Sequence, residues 1–198
     1  MARFGISSKN TLGISIPYLR KLARRIGKDH NLAIELWNSG YHEARILAAL
    51  TDEPEKITTK QLEKWVHDID SWDICDQVCM NLLYKCDLAI KAIPTWVKSK
   101  EEFVRRTPFS LIAALAVHKK DFKDSDFEKY FPLIIKYSTD ERNFVRKSVN
   151  WALRQIGKRN QNLKNKAIDT ATKILQQHHD FKSARWIAND ALRELSSR

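Results

Sequence analysis

Between residues 68 and 79 the chain reads DIDSWDICDQVC, gathering Asp68, Asp70, Asp73 and Asp76 around Trp72 in a protein of formal charge +11. Trp72 and Asp76 stand at i and i+4, so a helix here presents an indole and a carboxylate side by side on one face. Asp70 and Asp73 do not share that face. At the start of the same helix negative charge complements the dipole and caps free amides, which is sufficient reason for both. Asp76 lies beyond the cap, where a carboxylate in basic surroundings repels the anions those surroundings attract. It costs binding unless it does chemistry. A second tryptophan, Trp151 in NFVRKSVNWALRQIGK, falls on a later helix of similar pattern. Each tryptophan taken singly reads as core. Two indoles with an aspartate between them form an aromatic cleft suited to a flat, positively charged substrate or transition state.

The charge around this segment is uneven. Residues 1–50 carry eight basic and three acidic side chains and residues 141–166 eight and one, whereas residues 51–90 carry four and nine. Two basic blocks flanking an acidic one suit a chain whose ends grip a polyanion, with the phosphate backbone of nucleic acid the obvious choice, while the middle does something else. The competing reading of the charge is a solvated lysine-rich surface.

Elements that could position these residues are easy to find. With 43% hydrophobic residues, six tryptophans and eight phenylalanines, the chain has the material for a packed core. With only five glycines and five prolines it lacks the turns of a sandwich or barrel. Amphipathic helical segments follow one another from SIPYLRKLARRIGKD through DHNLAIELWNSG, YHEARILAALTD, TTKQLEKWVHDI and SWDICDQVCMNLLYKC. DLAIKAIPTWVKS, KEEFVRRTPFSLIAALAVHKK, DSDFEKYFPLIIKYST, DERNFVRKSVNWALRQIGK, NLKNKAIDTATKILQQH and DFKSARWIANDALRELSS complete the set. No segment alternates like a strand, no apolar run is long enough to cross a bilayer, and the amino end lacks the apolar core of a secretory signal. The expected location is the cytoplasm. Cys75, Cys79 and Cys86 read as small buried hydrophobes without a fourth metal ligand, and the six histidines show no ligand spacing.

The second helix of each pair follows one pattern. HEARILAAL, EEFVRRTPFSLIAAL, RNFVRKSVNWALRQI and FKSARWIANDALREL each open on polar residues and reach an arginine within a few positions: Arg45, Arg105, Arg146 and Arg185. Steps of roughly 30 and then roughly 40 residues predict an all-α, curved α-solenoid of HEAT-like two-helix repeats over residues 1–198, a single domain. SWDICDQVCMNLL occupies the slot between Arg45 and Arg105, with acids where its neighbours have bases. If the second helices face one groove, their arginines form a basic ladder. Arg45 and Arg185 fit equally well as ion-pair partners of neighbouring repeats. Arg105 with Arg106, and Arg146 with Lys147, are adjacent bases that an anion would relieve, which points to phosphate.

MARFGI, HEARILAAL, SWDICD, FVRRTPFSL and above all NFVRKSVNWALRQIGKRN together resemble the AlkD-type DNA alkylation repair family, alkylpurine DNA glycosylases built from HEAT-like repeats. The resemblance covers nearly the whole chain. Members ordinarily carry another helix ahead of the MARFGI-like segment, where this chain starts. The resemblance implies hydrolysis of the N-glycosidic bond of purines alkylated at N3 or N7 in double-stranded DNA, with the base left in the duplex rather than turned into a pocket. It places the catalytic aspartate on Asp76, the two sugar-contacting indoles on Trp72 and Trp151, and the phosphate-contacting arginine on Arg106, with Arg105 as the competing alignment. No lysine is placed to serve as a Schiff-base nucleophile, so a monofunctional enzyme without metal or cofactor is expected, and, since solenoids that hold one duplex usually need no partner, a monomer. Two other classes stay open: a HEAT-repeat module that binds DNA without turnover, and a scaffold whose basic surface meets an acidic protein.

Overall fold

The computed structural model describes residues 10–197, so the MARFGI segment lies outside the described residues. Among these the protein is helical throughout, with no strand. It divides into two compact units, Met1–Thr95 and Trp96–Arg198.

The first unit holds α1 (Ile16–Ile26), α2 (His30–Asn38), α3 (His42–Thr51), α4 (Thr59–Asp68), α5 (Trp72–Asn81) and most of α6 (Asp87–Trp96). Local chemistry sets the boundaries. Asp29 and Thr58 cap α2 and α4 by accepting from the amides of Leu32 and Gln61. Gly27 and Gly40 take positive φ where α1 and α2 end. Helix α3 packs between α1 and α5 and against its own partner α2. Trp37 of α2 and Trp65 of α4 stack at 4.1 Å, nearly parallel, and are both buried.

The second unit holds α7 (Glu102–His118), α8 (Asp124–Glu128), α9 (Phe131–Tyr137), α10 (Asn143–Gly157), α11 (Gln161–His178) and α12 (Lys182–Ser196). Here α10 is central, packed on α7, α11 and α12. Acids in successive repeats tie them together in the same way: Glu102 accepts from the Phe144 amide, and Glu141 from the Ser183 amide, each supplying an acceptor to the first turn of the next second helix.

One expected helix is two. DSDFEKYFPLIIKYST breaks between Glu128 and Phe131 because Pro132 has no N–H to donate to the Glu128 carbonyl, four residues back. No helix among the described residues is long and apolar enough to cross a membrane.

Candidate functional site

The repeat pattern read from the arginines is a register. Arg45, Arg105, Arg146 and Arg185 are each the fourth residue of their helices, α3, α7, α10 and α12. In α5 the fourth position is Cys75, and the fifth is Asp76, the position that Arg106 and Lys147 hold in α7 and α10. A carboxylate thus stands in a slot where two other repeats carry a cation.

Helix α5 has two distinct sides. Ile74, Cys75, Val78 and Cys79 are at most 1% exposed and anchor the helix in the first unit. Trp72, Asp73, Asp76, Gln77, Met80 and Asn81 are all half-buried. Trp72 and Asp76 therefore lie off the buried stripe. The stripe itself explains the cysteines: all three are buried and unbridged.

Asp73, in the first turn of α5, is tied to α3. It accepts a 2.7 Å hydrogen bond from His42 Nε2, at the start of α3. Burial works against both charges, yet the shared bond and the mutual attraction hold the Asp73 carboxyl below its usual value and His42 above its own. His42 is 5% exposed. Sequence reasoning left it unassigned, although the signal existed: His42 and Asp73 are 31 residues apart, one repeat step.

The other acids of the segment have internal work as well. Asp68 accepts from Trp37 Nε1 at 2.9 Å and from Lys64, and these bonds hold its carboxyl low against the opposing effect of burial. Arg45 donates to the Asp68 carbonyl at 2.8 Å, lies 3.9 Å from Asp70 and covers the Trp37 ring. Neither Trp37 nor Asp68 was singled out by its sequence pattern.

In the second unit, the predicted bases divide. Arg105 pairs with Asp140 at 2.8 Å and lies over the Tyr137 ring, so the anion that relieves the Arg105–Arg106 repulsion is supplied from within. Asp140 also binds Arg142, and the two guanidiniums hold its carboxyl low despite burial. Arg106 is 4% exposed and donates from Nη1 to the Phe144 carbonyl. Arg185 reaches the His179 carbonyl. Arg146 lies over the ring of Trp186 and bonds Asn143 at an exposed position, and Lys147 beside it is exposed. Trp151, the ninth residue of α10, is half-buried between buried Asn150 and Ala152.

Among the described residues no group of three or more His, Cys, Asp or Glu could hold a metal ion.

A family model described as DNA alkylation repair enzyme matches residues 1–195. The chain belongs to the DNA alkylation repair enzyme family. Two curated relatives, uncharacterized proteins of Listeria innocua and Listeria monocytogenes, are 26% and 24% identical over 188 residues, 93% of this chain and 82% of each relative. A solved structure, described as a new family of proteins related to the HEAT-like repeat DNA glycosylases with affinity for branched DNA structures, superposes with a TM-score of 0.76 at 17% identity. The match covers 87% of this chain and 74% of that one. This member of the DNA alkylation repair enzyme family thus has the all-α HEAT-like repeat fold its sequence predicts.

Proposed function

We propose that the protein is a monofunctional alkylpurine DNA glycosylase that hydrolyses the N-glycosidic bond of N3- or N7-alkylated purines in duplex DNA without turning the base into a pocket. The observation that carries this reading is Asp76 on the half-buried side of α5, one turn from Trp72, in the register position where α7 and α10 carry a cation.

The chemistry follows from charge. Alkylation at N3 or N7 makes the purine a cation, so the bond from C1′ to the base nitrogen is weakened before any enzyme arrives. When that bond breaks, its electron pair leaves with the base, which becomes neutral, and the sugar acquires oxocarbenium character. A carboxylate about 4 Å from that sugar stabilises the positive charge by about 4 kcal/mol at the effective dielectric of a partly solvated site. That corresponds to roughly a thousandfold in rate. Asp76 also orients the water that adds to C1′ and accepts its proton. The Trp72 face, with Trp151 proposed as a second indole against the sugar, adds about 0.5–2 kcal/mol of cation–π attraction. Lesion choice then comes from the lability of the cationic base, and neutral adducts react poorly.

Arg146 and Lys147 are the proposed phosphate contacts. Arg45, Arg105 and Arg106 meet DNA only by exchanging an internal partner for a phosphate. The protein is proposed to act as a cytoplasmic monomer, without cofactor. The test is to incubate it with methylated duplex, no metal added, and separate the released bases: free methylpurine is expected, and intact DNA after prolonged incubation overturns the reading.

A second reading, a HEAT-repeat protein that binds DNA without turnover, is favoured by the likeness to a structure described by its affinity for branched DNA. Binding of a four-way junction with no methylpurine released would select it.

A further inference from the structure

Helix α1 is basic on its open side. From Ile16 to Lys28 the chain carries Arg20, Lys21, Arg24, Arg25 and Lys28 and no acid. Arg20 and Arg24, one turn apart, are both exposed. Among the described residues neither is engaged in an ion pair. The nine residues outside the described range at the amino end contain no acid either.

These two arginines line a cavity of about 620 Å³ together with Pro17, Ala23, Gly27 and Leu50. Leu50 comes from α3 and Asn81 from α5. The third cation of the lining, Lys28, is tied by hydrogen bonds to the carbonyls of Leu50 and Asp52, so it holds the end of α1 against α3. What remains is a small cup lined by apolar groups, two arginine forks and an amide. It lies wholly within the first unit.

The cup adjoins the candidate site along one helix. The half-buried side of α5 that starts with Trp72 and Asp73 continues through Asp76 and Gln77 to Asn81. Five residues separate Asp76 from Asn81, about 7.5 Å of helix axis. Asn81 thus joins the cavity to the helix that carries the carboxylate.

We propose that Arg20 and Arg24 form a backbone-phosphate site that takes a nucleotide flanking the one acted on at Asp76, its phosphodiester between the two forks and its sugar edge on the apolar lining. The proposal rests on the reading that the chain takes DNA. Two guanidiniums one helical turn apart can each offer paired N–H groups to a single phosphate, a geometry that lysine cannot reproduce. An anion here also relieves the repulsion between them.

The experiment measures binding of unmodified duplex by fluorescence anisotropy at several salt concentrations, for the wild type, Arg20→Ala/Arg24→Ala and Arg20→Lys/Arg24→Lys. Loss of one phosphate contact lowers the magnitude of the slope of log K against log salt by about 0.9. The alanine pair is expected to show that drop and to bind at least about tenfold more weakly at low salt; the lysine pair, which keeps the charge, is expected to restore the slope and only part of the affinity. A slope and affinity unchanged in the alanine pair overturn the site. Thermal unfolding of all three proteins identifies a misfolded variant, and if the alanine pair misfolds, Arg20→Gln and Arg24→Gln made singly replace it, under the same criterion. Because the duplex carries no lesion, the outcome is independent of catalysis. A lowered slope together with no methylpurine release by the wild type retains this site and removes the glycosylase; release by the wild type with an unchanged slope does the reverse.

Discussion

Asp73 of α5 and His42 of α3 share a 2.7 Å hydrogen bond that ties the first turn of α5 to the start of α3. The pair has a defined pH window. Asp73, lowered from 3.8, contributes stability that is present above that value and is lost as pH falls through its depressed pKa. His42, raised from 6.5, contributes stability that is full below that value and is lost as pH rises through its elevated pKa. His42→Asn is expected to destabilise the protein by about 2 kcal/mol near pH 5.5, by urea unfolding. The deficit shrinks as pH rises through the elevated pKa of His42 and the imidazole loses its charge; a deficit that stays the same as pH rises contradicts the pairing.

Arg106 and Lys147 occupy the same helical register and should respond oppositely. Arg106→Ala removes a buried guanidinium together with its hydrogen bond to the half-buried Phe144 carbonyl and is expected to cost about 2 kcal/mol in stability. Lys147→Ala, at an exposed position, is expected to leave stability within about 0.5 kcal/mol and to flatten the salt dependence of duplex binding by about one unit. Thermal unfolding combined with anisotropy titrations at several salt concentrations separates the two.

Gly157 is required by packing. A Cβ built there meets Leu195 Cδ1 at 2.8 Å and Ala167 Cβ at 3.0 Å, where α10 touches α12 and α11. Alanine gains about 1 kcal/mol of helix propensity, but overpacking costs about 1–3 kcal/mol, and the Ala167 side of the contact has no flexible end to move aside. A net loss of about 1 kcal/mol is expected in urea unfolding; a stabilised Gly157→Ala protein would show that the helices yield.

The helices and their repeat register were legible because amphipathic stripes and the recurring arginine are local in sequence. The partners of those arginines were not. Arg106 bonds a backbone carbonyl 38 residues away, and a carbonyl has no residue type to mark it. The adjacent cations Arg105 and Arg106 do need an anion, but Asp140 supplies it from the loop between α9 and α10, 35 residues further on. The break at Pro132 leaves no mark in the pattern, because the apolar stripe of DSDFEKYFPLIIKYST reads on through the proline. Trp72 and Asp76 could be nominated from an i, i+4 spacing; their place off the buried stripe of α5 required the packing of Ile74, Cys75, Val78 and Cys79.

Tryptophans separate by burial. Trp37, fully buried and stacked on Trp65, is expected to cost about 3–5 kcal/mol as Trp37→Ala. Trp72 and Trp151 are half-buried, so their alanine variants are expected to lose less, about 1–2 kcal/mol, while slowing methylpurine release more than they weaken duplex binding. Variants that unfold as readily as Trp37→Ala would place these indoles in the core.

The most direct test concerns Asp76. Single-turnover release of 7-methylguanine from methylated duplex is compared between the wild type and Asp76→Asn, with duplex affinity measured alongside. The account predicts a loss of rate of about a hundredfold or more with affinity equal or higher, because a charge that repels phosphate is gone. An Asp76→Asn protein that releases the base at the wild-type rate contradicts it.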